Sequence, residues 1–292
     1  MKILMIQERG RHEANREFRE SENFRRSFKR IGVESEVWGI NQPTFSTPFH
    51  EMIKDFDVIF VMENYDESGW LPDLSQITNK FKVFWSIDSH LALGQHVFFS
   101  KRAKFDLHLN STEGYLKHFQ RHSPTCLWFP NAYPDDLIDH IPHASKSHDV
   151  GFCGSLIGGR DRWLENISSA SNKAIRRDVG VLGKGMVEAI NSYKVALNQS
   201  LLDDINYRVF ETLGTKTCLL TNSVPGLDKL FVRDKHLMTY NNQQELVEKL
   251  HFLLRKPEVI EEIASSGYEH VRANHTYDVR AKQLMEILKE KV

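Results

Sequence analysis

Asp204, Arg208 and Glu211 are separated by four and then three residues within the stretch Asp203-Asp204-Ile205-Asn206-Tyr207-Arg208-Val209-Phe210-Glu211-Thr212-Leu213-Gly214. On a helix that spacing puts all three on one face. A carboxylate there can accept both hydroxyls of a ribose, and a guanidinium can grip a diphosphate through two parallel hydrogen bonds. The combination suits a nucleotide sugar. It also suits an ordinary helix-surface ion pair, with Asp203 or Asp204 as the N-cap, so spacing alone leaves both open.

The elements that must hold these side chains can be read from periodicity. Ile205, Val209 and Leu213 recur at helical spacing, Gly214 is a stop, and Thr217-Cys218-Leu219-Leu220-Thr221 is a short buried strand. Earlier, strand-like runs cover residues 2–7, 35–40, 57–62, 82–87, 106–110 and 126–129, with helical segments between several of them. The second half repeats the alternation, with strands around Asp149–Gly154, Asp178–Leu182, Val195–Asn198 and His236–Tyr240. Strands alternating with helices imply parallel pairing by right-handed crossovers, hence Rossmann-like sheets.

In such sheets the chemistry gathers beyond the carboxyl ends of the strands. Asp88 and His90 follow the strand 82–87, where a carboxylate or imidazole could deprotonate an acceptor hydroxyl. Asp88 or Ser89 could equally cap the next helix. Gly154 and Ser155 end another strand ahead of Gly158-Gly159-Arg160, a turn whose backbone N–H groups could meet phosphate oxygens, with Arg160 adding charge-assisted bonds. Lys184 follows the strand 178–182 and could reach phosphate or remain an exposed lysine.

At 292 residues the chain fits two domains, and its net charge of −1 argues against nucleic acid as the main partner. Arg25, Arg26, Lys29 and Arg30 cluster on one predicted helix, either as a solvated face or beside a lipid-linked or anionic acceptor. The three cysteines are scattered, without zinc or disulfide spacing, and His140, His143 and His148 lack metal-ligand spacing. No G-x-G-x-x-G follows the first strand, so a dinucleotide cofactor is unsupported. Neither a signal peptide nor an apolar run of roughly 18 residues is present, and a cytoplasmic protein with at most peripheral membrane contact is expected.

The segment Asn206-Tyr207-Arg208-Val209-Phe210-Glu211-Thr212-Leu213-Gly214, followed by Cys218-Leu219-Leu220-Thr221, resembles the donor-site segment of GT-B glycosyltransferases, specifically the spore maturation protein CgeB-like group. Trp85-Ser86-Ile87-Asp88, the Pro130-Asn131 pair, the Gly154-Ser155 turn and His275-Thr276-Tyr277-Asp278-Val279-Arg280 add to it. In the related E-x7-E pattern the first acid is here Asp203, and Leu-Gly-Thr-Lys stands where Ala-Cys-Gly is usual.

The resemblance implies an α/β fold of two Rossmann-like domains facing each other across a cleft, with a C-terminal helix crossing back to the first. The domains would be 1–140 on the acceptor side, 141–274 for the donor, and 275–292 as the crossover helix. It implies a glycosyltransferase that uses a nucleotide diphosphate sugar, UDP-linked among the candidates, with no cofactor and no bound metal. Gly154, Ser155, Arg160, Lys184, Asn206, Arg208 and Glu211 would bind the donor, and Asp88 or His90 would be the base. The acceptor could be a glycan, a protein or a lipid-linked group. Two other readings fit the same fold: a scaffold or coat-associated protein without turnover, and an epimerase-like sugar-nucleotide enzyme.

Overall fold

Runs rich in valine, isoleucine and aromatic residues form the strands, and the amphipathic stretches between them form the helices that cover the sheets. The computed structural model describes residues 1–63 and 69–292. In chain order the strands are β1 (Lys2–Ile6), β2 (Glu34–Trp38), β3 (Val58–Met62), β4 (Phe81–Ser86), β5 (Leu107–Asn110), β6 (Thr125–Trp128), β7 (His148–Gly154), β8 (Arg176–Val179), β9 (Tyr193–Asn198), β10 (Cys218–Asn222) and β11 (Met238–Tyr240). The helices are α1 (Glu20–Arg30), α2 (Phe49–Met52), α3 (Ser89–Ala103), α4 (Leu116–Phe119), α5 (Arg160–Ser171), α6 (Gly183–Asn191), α7 (Tyr207–Gly214), α8 (Leu227–Leu230), α9 (Gln243–Arg255), α10 (Pro257–Asn274) and α11 (Tyr277–Lys289). Two compact units result: Met1–Pro130 together with Tyr277–Val292, and Asn131–Thr276.

The first unit is built on a sheet of order β2-β1-β3-β4-β5-β6, parallel throughout. Every residue of β3 is buried, as a central strand covered on both faces requires. One face packs Leu4, Ile6, Ile59, Val61 and Phe84 against Trp38, Phe56, Leu74 and Phe105. On another side Phe24 of α1 meets the rings of Phe60 at 5.3 Å, Trp85 at 5.7 Å and Tyr277 at 5.3 Å. Truncating so buried a phenylalanine to alanine costs about 3–5 kcal/mol.

The crossover expected of the C-terminal helix is observed, and the chemistry of His275-Thr276-Tyr277-Asp278-Val279-Arg280 explains it. Tyr277 and Arg280 are 1% and 2% exposed. Arg280 donates Nε–H to the Pro130 carbonyl at 2.7 Å and lies 6.0 Å over the Phe129 ring, while Arg30 of α1 forks onto the Asp278 carboxylate at 2.6–3.0 Å. This motif therefore ties α11 into the first unit.

The second unit carries the sheet β11-β10-β9-β7-β8, again parallel. Its core joins Val150, Val195, Leu197, Cys218 and Leu220 to Leu246, Leu250, Ile260 and Ile263 of α9 and α10. Two glycines are fixed by close approach. A Cβ on Gly151 would lie 2.2 Å from the Tyr193 ring, and one on Gly214 would lie 2.6 Å from the Tyr133 ring. Gly214 therefore serves packing as the last residue of α7, and the left-handed residue beyond the helix is Lys216, at φ 51°. Strand β8 begins and ends earlier than the apolar run suggests, because it is Arg176 to Val179 that stand in register with β7 and Gly180, at φ 70°, turns the chain away.

Candidate functional site

The carboxyl edge of the first sheet carries the residues that directly follow β1, β3, β4 and β5. Ile87 and Asp88 turn the chain from β4 into α3, with Asp88 in left-handed backbone at φ 53° and ψ 32°. Asp88 occupies the N-cap position, yet its side chain makes no cap bond. Its carbonyl accepts from Leu91 N–H at 2.9 Å and Ala92 N–H at 3.2 Å. The capping alternative for Asp88 is thus corrected, because the left-handed backbone replaces the extended geometry a capping side chain needs. His90 lies in the first turn of α3, and both residues are half-buried. His96, further along the helix, is fully buried, and burial drops its imidazole to about 4.

A second group on this edge was not singled out by sequence. Glu63, immediately after β3, has its Oε2 3.0 Å from Arg19 Nη1, and the same nitrogen is 3.6 Å from Glu20 Oε2. Gln7, immediately after β1, donates Nε2–H to Glu20 Oε2 at 2.6 Å and accepts the Ser21 N–H at 2.9 Å. Burial, reinforced by the Glu20 charge and opposed by Arg19, pushes the Glu63 carboxyl up to about 8. The available signal was positional, since Gln7 and Glu63 are polar residues closing apolar strands.

On the carboxyl edge of the second sheet, β7 ends at Gly154 and passes through Ser155 to Gly158 and Gly159, at φ 68° and 80°. Arg160 opens α5, but its guanidinium is drawn onto the main chain. Nε–H and Nη2–H reach the Gln199 carbonyl at 3.1 and 2.6 Å, and Nη1–H reaches Ser155 O and Oγ at 3.4 Å. Arg160 thereby fastens the Gly154-Ser155 turn to the loop after β9. Lys184 sits exposed in the first turn of α6, rather than at the tip of a strand.

The helix expected from Asp203 starts only at Tyr207, with Asn206 in extended backbone as its N-cap. Leu202 adopts φ 53° and the Asp204 N–H reaches the Leu201 carbonyl at 3.3 Å, so the chain turns at Leu202-Asp203 before the helix. Asp204 lies before the helix, 2% exposed, and does not share its face. Ile205 is buried ahead of the helix and not as the first residue of the helical stripe.

Asn206 donates Nδ2–H to Asn198 Oδ1 at 3.3 Å, and Asn198 in turn donates to Thr221 Oγ1 at 2.9 Å. The loops after β9 and β10 are joined by Ser200 N–H to Asn222 Oδ1 at 2.7 Å. Arg208 and Glu211 do share a face of α7, with Arg208 Nη1 2.9 Å from Glu211 Oε2. Their side chains are 20% and 13% exposed. Burial raises the Cys153 thiol of β7, with opposing electrostatic contributions from Arg208 and Glu211, so this pair lies within electrostatic reach of the strand that ends at Gly154. Gly154, Ser155, Arg160, Lys184, Asn206, Arg208 and Glu211 therefore all belong to one edge of one sheet, with α5, α6 and α7 starting there.

Chemically, this edge offers backbone N–H groups at helix starts, a cation, and a carboxylate that can accept two hydrogen bonds. Among the described residues, no helix is long and apolar enough to cross a membrane.

A family model described as glycosyl transferase-like matches residues 135–286. A comparison with curated proteins gives no match. Among solved structures, sucrose-phosphate synthase (tll1590) from Thermosynechococcus elongatus is 12% identical, with 99% of this chain and 98% of that one covered and a TM-score of 0.71. Anabaena Alr3699/HepE in complex with UDP and glucose is 13% identical, with coverage of 99% and 100% and a TM-score of 0.69. T4 phage BGT in complex with UDP and Mn2+ is 14% identical, with 99% of each chain covered and a TM-score of 0.66. At these identities the likeness is one of fold. Two parallel Rossmann-like lobes completed by a C-terminal helix constitute the GT-B architecture.

Proposed function

The chain belongs to the glycosyl transferase-like family, and from that premise we propose that it moves a sugar from a nucleotide diphosphate sugar to an acceptor hydroxyl. The observation that carries this reading is the Arg208–Glu211 pair on α7, held at 2.9 Å on the same sheet edge as the Gly154-Ser155 turn. In this reading Glu211 accepts the ribose hydroxyls. Arg208, Lys184 and the backbone of the Gly154-Ser155 turn meet the diphosphate, and Arg160 holds that turn in place. Asn206 fixes the start of α7. The solved relatives described as complexes with UDP support uridine as the base.

In the first unit, Asp88 or His90 takes the proton of the acceptor hydroxyl. The acceptor oxygen bonds to the anomeric carbon, the bond from that carbon to the diphosphate oxygen breaks, and the nucleoside diphosphate leaves with the electron pair. Positive charge and helix starts around the diphosphate stabilise the developing negative charge, so the reaction requires no divalent ion. We place the enzyme in the cytoplasm, consistent with three free cysteines, of which Cys153 and Cys218 are buried. Within the family we assign it to the CgeB-like group, on the segment from Asn206 to Gly214.

Thermal shift with UDP, GDP, dTDP and CDP tests the donor half of the reading. Stabilisation by one of them, with release of that nucleotide from its sugar conjugate at the same rate in EDTA, is the expected result. Failure of all four to stabilise the protein would sink the assignment and leave a scaffold without turnover.

A further inference from the structure

Asp88 holds a left-handed backbone between β4 and α3, which non-glycine residues adopt at a cost even though aspartate is among the better tolerated. Two buried serines bracket it, Ser86 at the end of β4 and Ser89 at the start of α3. Both are gripped by one residue. Asn110, the last residue of β5 and the register partner of Ser86, donates Nδ2–H to Ser86 Oγ at 2.6 Å and to Ser89 Oγ at 2.8 Å. Its Oδ1 accepts the Thr112 N–H at 2.9 Å, so the amide is engaged at both ends and the side chain is fully buried.

The grip is backed from behind. His108 of β5, fully buried, has Nε2 2.9 Å from Ser86 Oγ and Nδ1 3.4 Å from Ser100 Oγ. Ser86 Oγ–H also reaches the Leu109 carbonyl at 3.4 Å, so the serine is held from several sides. Burial keeps the His108 ring neutral, at about 3. The Ser111 N–H adds a bond to the Ser86 carbonyl at 3.1 Å.

We propose that Asn110 is a positioning residue which, by tying Ser86 to Ser89 across the Ile87-Asp88 corner, fixes the backbone of Asp88 and the direction in which Asp88 and His90 leave the start of α3. The inference rests on the assignment of those two residues as the acceptor-side base. Asn110 itself touches neither donor nor acceptor. Its effect passes through the corner.

The test uses UDP release from UDP-glucose with water as acceptor, measured at a temperature where each variant is folded. Asn110→Ala should lower kcat tenfold or more while the donor KM stays within twofold. Ser89→Ala, which removes only one of the two bonds, should lower it by a smaller factor and serves if Asn110→Ala does not fold. Combining Asn110→Ala with whichever of Asp88→Ala and His90→Ala lowers kcat should cost no more than that single variant alone, whereas a merely structural residue would multiply the losses. A crystal structure of Asn110→Ala, or of Ser89→Ala if only that variant folds, should show Asp88 displaced from its left-handed conformation. Parent-level kcat in Asn110→Ala and Ser89→Ala, or an unmoved Asp88 in the variant, overturns the proposal. Parent-level kcat in Asp88→Ala and His90→Ala instead overturns the base assignment, which the positioning variants alone would not reveal.

Discussion

Replacing Glu211 by alanine gives the sharpest test of the donor site. Its carboxylate is 13% exposed and lies 2.9 Å from Arg208 Nη1, so the substitution removes one hydrogen-bond acceptor pair and one neighbouring charge. If the carboxylate holds a ribose hydroxyl, the lost charge-assisted bond costs about 1.5–3 kcal/mol, roughly a tenfold to hundredfold weaker Kd for UDP. The fold should suffer little, because an i,i+3 pair on a helix stabilises by about 0.2–0.5 kcal/mol and this one is only partly shielded. Titration calorimetry with UDP, with near-ultraviolet circular dichroism as a check on folding, reads the two effects separately. Glu211→Gln should fall between parent and alanine, since the amide can still accept one uncharged bond.

The same pair sets an internal control. Arg208→Ala should also weaken UDP, and more steeply at low salt, because its partner is the diphosphate charge. If Glu211 served only to orient Arg208, the double variant would bind like Arg208→Ala alone. Two independent contacts would instead give nearly additive losses. A folded Glu211→Ala protein that binds UDP within twofold of the parent refutes the ribose assignment.

Three other expectations follow from the geometry. Asp88→Ala and His90→Ala should lower the rate of UDP release by tenfold or more in at least one case, with UDP affinity unchanged in both; parent rates in both would remove them from the chemistry. His108 is held near 3 by burial, against an ordinary value of 6.5, so the unfolded chain takes up a proton that the folded one refuses. That contribution is present above 6.5 and is lost as the pH falls toward 3. His108→Asn should therefore flatten the pH dependence of urea stability between pH 6 and 4 by about 1.4 kcal/mol per unit, and an unchanged slope would contradict a neutral buried ring. Gly151→Ala puts a methyl group 2.2 Å from the Tyr193 ring and should destabilise by about 1–3 kcal/mol, seen as a lower Tm.

Much of the frame was legible from short-range pattern. The apolar runs at residues 2–7, 57–62 and 82–87 became β1, β3 and β4 with ends displaced by one residue. The alternation of strand and helix specified two parallel sheets. Asp88 and His90 were reachable because a polar residue closing an apolar strand lands on the carboxyl edge of a parallel sheet. The same rule applied to Gln7 and Glu63 would have exposed the Arg19 cluster.

Elsewhere a long-range contact that local pattern does not show set the outcome. The start of α7 moved to Tyr207 because Ile205 was needed in the core, and this took Asp204 off the helix face. Arg160 has the sequence context of a phosphate ligand, yet the Gln199 carbonyl, far along the chain, occupies its guanidinium. The crossover of the C-terminal helix was expected from the resemblance, and the contacts that achieve it, through buried Tyr277 and Arg280 packing α11 against α1 and Pro130, appear only in the tertiary structure.

By itself, then, the sequence determined the alternation of elements, the buried stripes and the residues standing at strand ends, since these depend on chemistry within a few positions along the chain. Tertiary structure decided which strand ends became neighbours, which charges were drawn onto buried carbonyls and how Asn110 came to span Ser86 and Ser89. Those outcomes depend on strand order, and strand order is settled only when the whole sheet closes its hydrogen bonds at once.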